Sequence, residues 1–73
     1  MWKSSLQVVM ERRHISQAQL GRMTGLTKPT IRNAYHGYTV SPLTMVRIAR
    51  ALDVPLTVLD PVAAQELEGL RVR

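Results

Sequence analysis

The side chains of this chain that could do chemistry are cations, amides and hydroxyls, gathered in one basic stretch. Between Arg12 and Leu52 stand seven basic residues, Arg12, Arg13, Arg22, Lys28, Arg32, Arg47 and Arg50, and no carboxylate side chain. Four of the five acidic residues, Asp53, Asp60, Glu66 and Glu68, lie beyond it, within a net charge of +5. A basic block that coincides with a folding segment points to a polyanionic partner, nucleic acid first. The plainer alternative is an ordinary solvated basic surface. Catalysis has little to work with. It needs a nucleophile with its base, paired carboxylates or a metal cluster. Here there are two histidines, His14 and His36, no cysteine, and carboxylates crowded into the last third. No enzyme is expected, and no cofactor or metal. Platforms for stacking single-stranded RNA are sparse, Trp2, Tyr35 and Tyr38 being the only large aromatics.

The elements that must position these groups are legible from Ile15 to Gly37. Ser16 followed three residues later by Gln19 has the spacing of a capping box, with Ile15 and Leu20 placed as a hydrophobic staple. This predicts a helix over about 17–24 that buries Leu20 and Met23. Gly21 inside it is read as a point of close helix approach. Gly25 can take the positive φ that ends the helix. Thr27 then caps a third helix over about 28–36. Pro29 is tolerated in its first turn, where N–H groups lack intrahelical partners. Because proline removes one donor, the Thr27 hydroxyl is expected on the Thr30 N–H. At 100° per residue Ile31, Ala34 and Tyr35 fall on one side, and Pro29, Arg32, Asn33 and His36 on the other. Two capped helices this close in sequence must cross, as a helix-turn-helix.

Around them, a first helix over about 4–13 carries Leu6, Val9 and Met10 as an apolar stripe. His14 after it is read as a turn residue able to take φ > 0. Ser41 with Pro42 opens a fourth helix that buries Met45, Ile48, Ala49 and Leu52. Asp53-Val54-Pro55 breaks it, and a short fifth helix follows over about 56–59. Asp60-Pro61 opens a weak helix over 62–68 that Gly69 is expected to end. The alternating Leu70-Arg71-Val72-Arg73 permits a strand. No apolar run approaches the length of a membrane span. The expected organisation is one small domain, 1–60, with a tail, 61–73. So short a chain has a thin core.

From about Leu6 to Leu59 the sequence resembles the phage repressor and Cro type of helix-turn-helix domain, also called XRE-like. The matching residues are Ile15-Ser16-Gln17-Ala18-Gln19-Leu20, Thr24-Gly25-Leu26-Thr27, Thr30-Ile31 and Gly37. The match continues through Arg47-Ile48-Ala49-Arg50-Ala51-Leu52 and Val54-Pro55-Leu56 to Leu59. The resemblance implies an all-α fold, a compact five-helix bundle of the lambda-repressor-like type with a central helix-turn-helix, here followed by the short tail. It implies a sequence-specific double-stranded DNA-binding transcriptional regulator, expected to be a repressor, whose third helix enters the major groove. A homodimer on a palindromic operator is the expected working form. The implied location is cytoplasmic, on the nucleoid of a bacterial or phage-infected cell.

The resemblance puts Gln17 on a phosphate and Thr27, Lys28, Pro29, Thr30, Arg32 and Asn33 at the DNA surface. His36, Tyr38 and Thr39 would pass the backbone. Asn33 can pair with adenine N7 and N6, while Lys28 or Arg32 can read guanine or hold a phosphate. Thr27 and Thr30 suit phosphates. Pro29 departs from the amide side chain often seen at its position in phage repressors and cannot make that paired bond. Arg22 is expected as a rim charge. Candidates for dimerisation are Leu56, Val58, Leu59, Val62, Leu67 and Leu70, with Val72; Leu56 and Leu59 serve equally well as plain core. Trp2 is free to pack over the first helix or a partner. The rival function is an interaction module, antitoxin-like, whose tail grips a partner protein.

Overall fold

The structure, a computed structural model, describes residues 3–71 and the side chains of residues 3–69. It contains six helices: α1 Ser5–Arg13, α2 Gln17–Thr24, α3 Lys28–Tyr35, α4 Pro42–Leu52, α5 Leu56–Leu59 and α6 Pro61–Arg71. No strand occurs among the described residues. Trp2 and Val72 lie outside these residues, as does the side chain of Leu70. The chain divides into two compact units, Met1–Val40 and Ser41–Arg73.

In the first unit the ends of α1 and α2 follow from local chemistry. Ser4 is the N-cap of α1, its hydroxyl accepting the Gln7 N–H at 3.0 Å. His14 ends that helix in the left-handed region (φ 56, ψ 41), and the Ile15 N–H reaches back to the Met10 carbonyl at 3.0 Å. That 6→1 bond satisfies a carbonyl the helix would otherwise leave open. At α2 both arms of the capping box form: Gln19 N–H to Ser16 Oγ at 3.1 Å, and Ser16 N–H to Gln19 Oε1 at 2.8 Å. Gly25 closes α2 with φ 74. Thr24 knits the turn, its hydroxyl donating to the Leu20 carbonyl at 2.8 Å while accepting the Leu26 N–H at 3.2 Å. Leu6, Met10, Leu20, Ile31 and Ala34 are buried.

Two expectations need correction here. Met23 is 49% exposed, not core. In a helix of two turns Leu20 and Thr24 face inward, which leaves Met23, about 60° round from Leu20, on the rim. Gly21 is not a close crossing. A methyl group there would meet only the Leu26 carbonyl oxygen, at 3.6 Å, an ordinary contact. Val9, the third member of the α1 stripe, is only half-buried.

In the second unit Ser41 caps α4 by accepting the Thr44 N–H at 3.2 Å, and Pro42 fills the first helical position. Met45, Ile48, Ala49 and Leu52 are buried as their spacing predicts. Asp53 stops the helix in the left-handed region (φ 56), and the Val54 N–H bonds the Ala49 carbonyl at 3.0 Å. Asp60 caps α6 through its carboxylate, which accepts the Ala63 N–H at 3.0 Å. The tail departs from expectation. Instead of a weak helix stopped at Gly69, or a strand, α6 runs through Gly69 to Arg71. Glycine permits a left-handed stop without requiring one, and Gly69 is not among the positive-φ residues. The described residues are thus all-helical as expected, five helices followed by a tail that is itself a sixth.

Candidate nucleic-acid interface

Helix α3 carries most of the candidate residues and starts without a side-chain cap. Thr27 has N-cap backbone geometry (φ −74, ψ 159) but makes no capping bond. The expected Thr27-to-Thr30 N–H bond is replaced by a hydroxyl–hydroxyl bond, Thr27 Oγ1 to Thr30 Oγ1 at 2.9 Å. Thr30 offers its own hydroxyl in competition with its N–H, and Pro29 at the second position has no N–H to offer. The positive pole of the helix dipole is thus left without a side-chain oxygen over it. In contrast, Ser4, Ser16, Ser41 and Asp60 cap α1, α2, α4 and α6.

Two faces of α3 differ as the periodicity predicts. Ile31 and Ala34 are buried and Tyr35 half-buried, while Lys28, Pro29, Arg32 and Asn33 are exposed. Thr27 is exposed and Thr30 half-buried. Asn33 uses its backbone carbonyl to accept the Tyr38 N–H at 2.8 Å, closing the helix beside Gly37 (φ 81). Its side-chain amide has no partner among the described residues. His36, just past the helix end, stands edge-on to Tyr35 with ring centroids 5.3 Å apart and tilted to Tyr38 at 6.4 Å. His36, Tyr38 and Thr39 are all exposed beyond the end of α3.

Between α2 and α3 lies a groove of about 530 Å³ lined by Gln17, Ala18, Gly21, Arg22, Gly25, Leu26, Lys28, Ile31 and Arg32. It brings together Gln17, Lys28 and Arg32, which the resemblance puts at the DNA surface, with Arg22, the expected rim charge. Thr27, Pro29, Thr30, Asn33, His36 and Tyr38 do not line it. No carboxylate lines it either. The first unit's only acid, Glu11, pairs with Lys3 at 2.7 Å on an exposed part of α1. The Lys3 hydrogen bond, helped by Gln7, holds the Glu11 carboxyl below its ordinary range, and Glu11 raises Lys3 in turn. The groove's lining thus carries Arg22, Lys28 and Arg32 and no acid.

Of the dimerisation candidates, Leu59 is 7% exposed and packs as core, the alternative its sequence position also allows. Leu56 and Leu67 are half-buried. Val58 and Val62 are 50% and 64% exposed.

Two short helices meeting at a glycine turn, with one polar outward face on the second, define a helix-turn-helix protein. A family model described as helix-turn-helix matches residues 6–59, and the chain belongs to that family, the Cro/C1-type or XRE-like group. It is a family of DNA-binding transcription regulators, not of enzymes. Comparison with curated proteins and with solved structures gave no match. No helix among the described residues is long and apolar enough to cross a membrane.

Proposed function

We propose that this protein is a sequence-specific transcriptional repressor that lays α3 in the major groove of double-stranded DNA. One observation carries the reading: α3 buries Ile31 and Ala34 while presenting Arg32 and Asn33 to solvent, beside a groove with no carboxylate in its lining. Asn33 pairs with an adenine edge, and Arg32 or Lys28 with a guanine. Gln17, Thr27, Thr30 and the uncapped start of α3 hold phosphates, which favour helix N-termini. Pro29 meets a thymine methyl or sets the helix angle. His36 and Tyr38 follow the backbone. Residues 1–60 act as the DNA-binding domain and 61–73 as an extension of it.

Each paired base contact contributes about 1–3 kcal/mol of discrimination, too little from one helix to select a genomic site. The protein therefore works as a homodimer on a palindrome, half-sites about 34–36 Å apart. Val58 and Val62, exposed apolar residues four apart, supply the pairing surface with Leu56 and Leu67. Selection from random duplex DNA, followed by footprinting, tests the proposal. A palindromic consensus with protection centred on both half-sites is expected. Failure to enrich any sequence would overturn it.

A further inference from the structure

The last-turn carbonyls of α3 all find donors, but not of one kind. The Arg32 carbonyl accepts from His36 N–H at 3.0 Å, Asn33 from Tyr38 at 2.8 Å, and Ala34 from Gly37 at 3.1 Å. These are local. The Tyr35 carbonyl is served instead by the Ser4 hydroxyl, 31 positions away, at 2.6 Å. Ser4 is buried, 6% exposed, alone among the polar residues described. Its oxygen already accepts the Gln7 N–H, so its single proton is committed to Tyr35. One hydroxyl thus joins the start of α1 to the end of α3.

We propose that Ser4 is a positioning residue for DNA recognition: its bond to the Tyr35 carbonyl fixes the axial placement of α3, and with it the reach of Arg32 and Asn33. The inference rests on the DNA-binding reading above. Ser4 touches no DNA and adds no charge. Its contribution falls on directional base contacts, which tolerate little displacement, and not on phosphate attraction, which is sequence-independent. Removing the proton should therefore lower affinity for the operator more than affinity for arbitrary DNA.

The test measures fluorescence anisotropy on the selected operator and on a scrambled duplex of equal length, using full chains shown to be folded by circular dichroism. The readout is the ratio of the two affinities. Ser4→Ala loses both bonds. Ser4→Asp keeps an acceptor for the α1 cap but has no proton for Tyr35, which covers the case in which the alanine variant does not fold. Both should lose about tenfold in the ratio, the size expected when one paired base contact is misaligned. Ser4→Thr keeps the hydroxyl and should stay within about twofold of wild type. Ser41→Ala, which removes the corresponding local cap from α4, should leave the ratio unchanged. A wild-type ratio for Ser4→Ala, or an equal fall for Ser41→Ala, would overturn the inference. A wild-type chain unable to distinguish any two duplexes would instead remove the DNA reading on which it rests.

Discussion

The same substitution, glycine to alanine, should act with opposite signs at two positions only four residues apart. Gly21 lies inside α2, and a methyl group there meets nothing closer than the Leu26 carbonyl oxygen at 3.6 Å. Alanine should therefore recover the helix propensity that glycine gives up, about 0.5–1 kcal/mol. Gly25 has φ 74 and nothing within 4 Å of a built methyl, so space is not the issue there. Its cost is conformational: a left-handed residue with a Cβ loses roughly 1–2 kcal/mol, partly offset by a stiffer unfolded chain. In a domain of this size 1 kcal/mol moves the melting temperature by about 4–8 °C. Gly21→Ala should melt several degrees above wild type and Gly25→Ala several degrees below. Gly25→Asn should fall nearer wild type than Gly25→Ala, and Gly25→Val should weaken the domain most. Thermal and urea unfolding followed by circular dichroism measure all four. A Gly25→Ala variant as stable as wild type, or a destabilised Gly21→Ala, would refute the reasoning.

Arg22→Ala should leave base preference intact and reduce the slope of log affinity against log salt by about 1, as removal of one phosphate partner does; a titration across salt concentrations reads this directly. Leu59→Asp buries a charge in the second unit's core and should unfold it, whereas Val58→Glu with Val62→Glu should leave helicity unchanged and abolish pairing. Sedimentation with circular dichroism separates the two outcomes, and an unaltered dimer in the double glutamate variant would remove this surface from the interface. The Lys3–Glu11 pair should matter little. Glu11 has a lowered folded pKa, so its contribution is present above the unfolded value and lost as pH falls through the lowered range. That of Lys3, whose pKa is raised, is lost only at strongly alkaline pH. Both ends are exposed, so Glu11→Gln should shift the melting temperature within error at moderate salt.

What could be read from the sequence was whatever a few neighbouring residues decide. The Ser16–Gln19 box, the left-handed His14 and Gly25, Ser41-Pro42 and Asp60-Pro61 are each settled within about four positions, and each is found where its spacing puts it. The two faces of α3 follow equally from one periodicity. The misses have other causes. At Thr27 two hydroxyls and a proline compete within one turn, and residue type alone does not rank their bonds. Met23 depends on how a two-turn helix is rotated, which its single buried residue, Leu20, scarcely constrains. Gly69 has the capacity for positive φ, and the chain does not use it. The Ser4–Tyr35 bond spans 31 positions and leaves no trace in any pattern. Arg22 joins Lys28 and Arg32 in one groove only because α2 and α3 cross, a relation that spacing along either helix does not supply.

The most direct test compares wild type and Asn33→Ala on the selected operator and on its complete set of single-base-pair variants. If α3 reads base edges through its outward face, Asn33→Ala loses its preference at one base pair per half-site, about five- to hundredfold in discrimination there, and keeps it at every other position. Uniform weakening across all variants, or no change at any, would contradict the claim that this face of α3 meets the bases.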